Sequence, residues 1–74
     1  AILLDLNLPD MDGLQVLTQL KRDPVLATVP VIVVSADATE QRIDAARAAG
    51  AAEYLAKPLR AAQLLAAIER ALRR

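Results

Sequence analysis

Four β-branched residues in a row, Val31-Ile32-Val33-Val34, are the feature that most narrows the folds open to this chain. Such side chains lose freedom in a helix and pack well on a pleated surface, so the run predicts a strand. Pro30 precedes it, where a missing N–H is tolerated as a strand opens. Ile2-Leu3-Leu4 is a second apolar run and reads as a strand buried on both faces. Uniformly apolar strands belong to parallel sheets with helices on both sides. A short third strand is expected over about Glu53 to Ala56.

Helical periodicity fills the intervals. Leu14, Val16, Leu17 and Leu20 share one side of a first helix, with Gln15, Gln19, Lys21 and Arg22 facing out. Asp12 is placed as its N-cap, with Gln15 in the capping-box position. Asp23-Pro24 ends it, because a residue before proline avoids the helical region. A loop is expected over Val25 to Val29. The second helix covers roughly Thr39 to Ala49, capped by Asp37 or Thr39, with a thin apolar side of Ile43, Ala46 and Ala49. Gly50 follows as the residue free to turn left-handed. The last helix starts near Arg60 and carries a core stripe of Leu64, Leu65, Ile68 and Leu72. Arg70, Arg73 and Arg74 at its end read first as complements to the helix dipole, and second as a partner-binding patch. The order is βαβαβα. Right-handed crossovers turn it into an α/β unit with a three-stranded parallel sheet.

Seventy-four residues allow one small domain. Without Cys there is no disulfide or thiolate metal site, and without His the commonest general base and metal ligand are missing. Nine basic and nine acidic residues cancel, which argues against nucleic acid or an anionic membrane as the main partner. No apolar run approaches the roughly 20 residues of a membrane span, and no signal peptide is visible. A cytoplasmic location is expected. The chain lacks an initiator Met and starts inside a strand, and it reads as a piece of something longer.

Asp5, Ser35 and Lys57 fall at the carboxyl ends of the three strands. Each alone has an ordinary reading: a turn former, a cap, a solvated lysine. In a parallel sheet these ends lie side by side, so the three are expected to converge where open α/β sheets gather their chemistry. Such a trio suits phosphoryl acceptance. A carboxylate can attack phosphorus, an ammonium can meet a phosphoryl oxygen as a point charge, and a hydroxyl can bond another oxygen. A divalent cation held by oxygen ligands would complete the site.

Three ordered motifs then carry a family resemblance over the whole chain. Asp5-Leu6-Asn7-Leu8-Pro9-Asp10-Met11-Asp12-Gly13 resembles the phosphoacceptor strand and loop of the receiver domain of bacterial two-component response regulators. Pro30-Val31-Ile32-Val33-Val34-Ser35-Ala36 resembles that family's fourth strand. Ala49-Gly50-Ala51-Ala52-Glu53-Tyr54-Leu55-Ala56-Lys57-Pro58 resembles the approach to its fifth strand. The resemblance implies a flavodoxin-like receiver fold, truncated to its strands three to five, with residues 1–74 a single partial receiver domain. It implies that Asp5 accepts phosphate from a histidine kinase or phosphotransfer protein and that Asp5 and the Asn7 backbone carbonyl are Mg²⁺ ligands. It further implies that Ser35 bonds the phosphoryl group and that Lys57 pairs with one of its oxygens. Tyr54 matches the aromatic that swings inward when the Ser moves. The Lys57–Pro58 bond is expected to be cis. The second helix, last strand and last helix match the family's partner surface for an output domain or target protein. The module is not a turnover enzyme, although its parent could be a hybrid histidine kinase.

The chain departs from the family pattern in lacking the first strand and the acidic pair that holds the cation. Asp10, Asp12 and Asp37 lie in or near the same loops but match neither missing position. Weak Mg²⁺ binding and slow phosphorylation are therefore expected of this chain. The strand Ile2–Leu4 becomes an apolar edge, which invites a homodimer through paired leading strands. Arg60 stands where the last helix needs a cap, and it is a poor one. Two other readings stay open. One is a receiver-like interaction module that takes no phosphate. The other is half of a flavodoxin-like scaffold binding a nucleotide or flavin, which no Gly-rich phosphate loop supports.

Overall fold

The computed structural model describes residues 1–6 and 12–73. In chain order these form β1 (Ile2–Asp5), α1 (Gly13–Arg22), a 3₁₀ turn (Leu26–Thr28), β2 (Val31–Ser35), α2 (Glu40–Ala48), β3 (Glu53–Ala56) and α3 (Ala61–Leu72). The three strands make one parallel sheet in the order β1-β2-β3. Leu4 lies beside Val33, which lies beside Tyr54, and Leu3 beside Ile32, which lies beside Glu53. Side chains alternate between faces along a strand, so this register sorts the core into two halves.

One half gathers Leu4, Leu6, Val31 and Val33 from the sheet side with Leu17 of α1 and Ala46 of α2. The other gathers Ile32 with Ala67 and Ala71 of α3. Only β2 is buried along its whole length. The expectation that β1 is buried on both faces is corrected: Leu4 is buried, but Leu3 is 54% exposed. The reason is placement. α3 lies over β2 and β3, and so leaves the Leu3 face of β1 open.

The same placement corrects the stripe expected on α3. Ala67 and Ala71 are the buried positions, Leu64 and Ile68 are half-buried, and Leu65 and Leu72 are 63% and 64% exposed. Arg70 reaches sideways from α3 to the Glu53 carboxylate, with N–O distances of 2.8 and 2.9 Å, which marks the flank of the helix nearest β3. At about 100° per residue, Leu65 and Leu72 fall on the opposite flank, toward β1. Leu3, Leu65 and Leu72 are thus left exposed to solvent.

The helix ends follow local chemistry. Leu14 N–H donates to Asp12 Oδ1 at 3.1 Å, so Asp12 is the cap of α1 through its second helical residue. Asp23 stops α1 in extended backbone, and its Oδ1 then accepts from Val25 and Leu26 N–H at 2.8 and 3.1 Å. That pair of bonds turns the expected Val25–Val29 loop into a 3₁₀ turn. Helix α2 is one residue shorter at each end than expected, with Thr39 its N-cap and Ala49 its C-cap. Gly50 has φ 110°, Gly50 N–H bonds Arg47 O, and Ala51 N–H bonds Ala46 O, both at 3.0 Å. That double closure is the Schellman arrangement. Arg60 supplies α3 with no side-chain cap bond.

Lys21 is a further correction. It was placed on the outer side of α1, yet its ammonium donates to Ala27 O at 3.3 Å and Val29 O at 3.0 Å. Its stem lies against Gly50, where an added Cβ would come within 2.9 Å of Lys21 Cγ. A long amphipathic side chain thus spans three segments while keeping its charge bonded.

Candidate functional site

The carboxyl edge of the sheet brings two of the singled-out side chains into direct contact. Asp5 ends β1, and Lys57 directly follows β3. Lys57 Nζ donates to Asp5 Oδ2 at 2.8 Å across the end of β2. Register and alternation account for this. Asp5 is aligned with Val34 and Leu55, and Lys57 lies two residues past Leu55, so both leave the sheet on the α3 face. The pair is more than a third exposed, so its electrostatic stabilisation is screened and modest. What the geometry supplies is a carboxylate oxygen beside a fixed positive charge.

Ser35 lies between them in the sheet, and Lys57 N–H donates to Ser35 O at 2.9 Å. Its side chain is fully buried and shares the face of Val31 and Val33. Ser35 Oγ accepts from Asp37 N–H at 3.0 Å. The hydroxyl proton is not used in that bond. Tyr54 is half-buried against the α1–α2 side of the core, and its hydroxyl donates to the Asp37 carbonyl oxygen. The Lys57–Pro58 bond is cis. Asn7, expected to offer a backbone carbonyl to a cation, and Asp10 lie outside the described residues.

Asp37, expected in the sequence as a cap and set aside as a cation ligand, bonds residues of β2, β3 and the start of α2 at this edge. Its Oδ1 accepts from Thr39 N–H at 3.1 Å, and Thr39 Oγ1 accepts from Arg42 N–H at 3.4 Å to cap α2. Arg42 Nε is 3.8 Å from Asp37 Oδ2. The Thr39 backbone N–H, then the Thr39 side chain, and more weakly Arg42 hold the Asp37 carboxyl below its ordinary 3.8, against a small opposing effect of desolvation. As pH falls, the unfolded chain protonates this group before the folded one does. Its stabilisation is therefore complete above 3.8 and is lost as pH drops through the lower folded value. An NMR titration of the Asp37 carboxyl carbon is expected to give a midpoint below 3.8, and a midpoint at or above it would refute this account.

Among the described residues no group of three or more acidic, His or Cys side chains could hold a metal ion. The Asp5 carboxylate could be one oxygen ligand for Mg²⁺, which normally takes one or two carboxylates and completes its shell with water and phosphate. The described residues alone do not make a Mg²⁺ site.

An open parallel α/β sheet with an acid–ammonium pair at its carboxyl edge defines a class of small module whose site is built from strand ends. The sequence matches the response regulator receiver domain over residues 1–69, and the chain belongs to that family. It is 45% identical over 67 residues to the sensory/regulatory protein RpfC of Xanthomonas campestris pv. campestris, a match covering 88% of this chain and 9% of RpfC. A solved structure described as a response regulator from Chloroflexus aurantiacus superposes with a TM-score of 0.89 at 30% identity, covering all of this chain and 61% of that one. The Mn²⁺-bound form of response regulator Rcp1 gives a TM-score of 0.71 at 35% identity, over 92% of this chain and 49% of that one. The chain thus spans less than two thirds of each of these relatives. The three-stranded parallel sheet with its helices matches receiver structures, as the flavodoxin-like expectation required. Receiver domains are signalling modules rather than turnover enzymes. Among the described residues no helix is long and apolar enough to cross a membrane.

Proposed function

We propose that residues 1–74 act as one receiver-type phosphoacceptor unit in a phosphorelay, with Asp5 as the residue that takes the phosphoryl group. The observation that carries this reading is the Lys57–Asp5 contact of 2.8 Å at the sheet edge of a receiver-family chain. In the step, a carboxylate oxygen of Asp5 attacks phosphorus of a phosphohistidine donor. The P–O bond forms, the P–N bond breaks, and imidazole leaves with a proton from solvent. Lys57 offsets the charge that arrives on the phosphoryl oxygens, and the Ser35 hydroxyl, buried on the other face at rest, moves toward the edge to bond one of them. A divalent cation, when bound with Asp5 and Asn7 among its ligands, would neutralise further charge. That response regulator Rcp1 has a Mn²⁺-bound form supports a divalent cation in this reading.

The donor is read as a histidine kinase or phosphotransfer protein. The receiving surface for an output domain or target is α2–β3–α3, which carries a groove of about 460 Å³ lined in part by Tyr54, Leu55, Gln63 and Arg70. Ser35 and Tyr54 are the switch residues that link the edge to that surface. A cytoplasmic location fits a module of this kind.

Incubation with acetyl phosphate and Mg²⁺, followed by borohydride reduction and mass spectrometry, tests the reading. A slowly formed label confined to residue 5, and lost in Asp5→Asn, is the expected result. No label at saturating Mg²⁺ would favour the second reading, an interaction module that takes no phosphate.

The exposed Leu3 and the edge position of β1 in the sheet support a homodimer of this chain, joined through β1. Light scattering at micromolar concentration is expected to give twice the chain mass. A monomer there removes the dimer.

A further inference from the structure

Ser35 and Tyr54 belong to different strands, and both bond the same residue. The Asp37 N–H is held by Ser35 Oγ at 3.0 Å, and the Asp37 carbonyl oxygen is held by the Tyr54 hydroxyl. These are the two ends of one residue's backbone, so their separation depends on how that backbone is turned. The turn is fixed by the Asp37 side chain. Its carboxylate closes onto Thr39 N–H at 3.1 Å and faces Arg42 Nε at 3.8 Å, which ties the residue to the first turn of α2. Asp37 is thus bonded in three directions: back to β2, across to β3, and forward to α2. A carboxylate or amide of this length can bond an N–H two residues ahead, and glutamate cannot reach it in the same geometry.

We propose that the Asp37 carboxylate is a positioning residue that couples the Ser35 hydroxyl to Tyr54. With the carboxylate closed on Thr39, the residue moves as a rigid piece. A displacement of the Ser35 hydroxyl is then passed to the Tyr54 hydroxyl and to the start of α2. Without that closure the backbone of residues 36–38 absorbs the displacement, and Tyr54 does not feel it. The inference rests on the proposed phosphoacceptor role only for what moves Ser35 in use. The coupling itself is a property of the unphosphorylated chain.

Tyr54 is the chain's single aromatic residue, so its signals are read without overlap. The test is a cycle of variants in the full chain without phosphodonor, read by the ¹³Cζ resonance of Tyr54, with far-UV circular dichroism to establish folding. Ser35→Ala removes the acceptor for Asp37 N–H and is expected to shift the Tyr54 resonance. In an Asp37→Ala background the same Ser35→Ala change is expected to shift it no further. Asp37→Asn, whose amide oxygen can still accept from Thr39 N–H, is expected to restore the Ser35-dependent shift. If Asp37→Ala does not fold, Asp37→Glu takes its place, keeping the charge and losing the closure. A residue that merely capped α2 would lower stability and leave the Ser35-dependent shift intact. That intact shift in the Asp37→Ala or Asp37→Glu background, or no shift in the parent, overturns the proposal. Because no phosphodonor enters the cycle, its failure leaves the phosphoacceptor reading standing. Equally, an Asp5 that takes no label leaves the coupling standing.

Discussion

Leu17→Ala is expected to lose about 2–5 kcal/mol of folding stability, a large share of what a chain this small has. Leu17 has no solvent exposure and is the residue through which α1 meets the sheet, packed with Leu4, Leu6, Val31, Val33 and Ala46. Cutting it to alanine forfeits the transfer free energy of its side chain and leaves a cavity between a helix and a strand-built wall. Neither side can close that gap without breaking the register of β1 and β2. The magnitude decides the outcome because the whole domain is small. Stability of about 0.05–0.15 kcal/mol per residue gives this chain roughly 4–11 kcal/mol in all. Urea unfolding followed by circular dichroism measures the loss. A midpoint shift equivalent to less than about 1 kcal/mol would mean that α1 does not anchor the sheet in this way.

Gly13→Ala carries the second large effect, and its sign is the informative part. Gly13 is the first residue of α1, where helix propensity alone favours alanine by up to about 1 kcal/mol. The structure opposes that. A Cβ at Gly13 would stand 2.2 Å from Leu6 Cδ2 and 2.9 Å from Leu6 Cα, and the second of these is backbone that cannot swing aside. Overpacking of this kind typically costs about 1–3 kcal/mol, which outweighs the propensity gain. The variant should therefore be less stable than the parent. The same change made in a Leu6→Ala background should cost less, because one of the two clashes has gone. A Gly13→Ala chain more stable than the parent would show that Leu6 and α1 do not approach each other so closely.

The parts of the fold that were legible in the sequence are those that neighbours along the chain decide. The β-branched run made β2, Asp23-Pro24 stopped α1, and Gly50 closed α2 with the left-handed backbone expected of it. β3 falls on Glu53–Ala56 as read. What escaped depends on where one element lies over another. Periodicity marks Leu64, Leu65, Ile68 and Leu72 as one stripe, but it cannot say which strands the helix covers. Because α3 lies over β2 and β3, two alanines go inside, and Leu65 and Leu72 stay out with Leu3. Lys21 looked like an outward charge because the carbonyls of Ala27 and Val29 that it bonds come from a turn formed later in the chain. At the sheet edge, Asp5, Ser35 and Lys57 could be named from their places at strand ends. The bonds that Asp37 makes to Ser35 and Tyr54 could not, since they need the β2–α2 turn and β3 to be set side by side first.

The small side chains beneath α3 have a kinetic consequence. Alanines let a helix sit close to a sheet but forfeit little apolar area when it leaves. Ala67 and Ala71, helped by Ile68, hold α3 with smaller side chains than Leu17 and its neighbours give α1. Its start has no side-chain cap, and the Arg70–Glu53 pair that ties it to β3 is exposed on the arginine side. α3 is therefore expected to open first, while β2 and α1 stay folded, so that its amide protons exchange with solvent faster than those of β2; equal protection by hydrogen exchange would refute this.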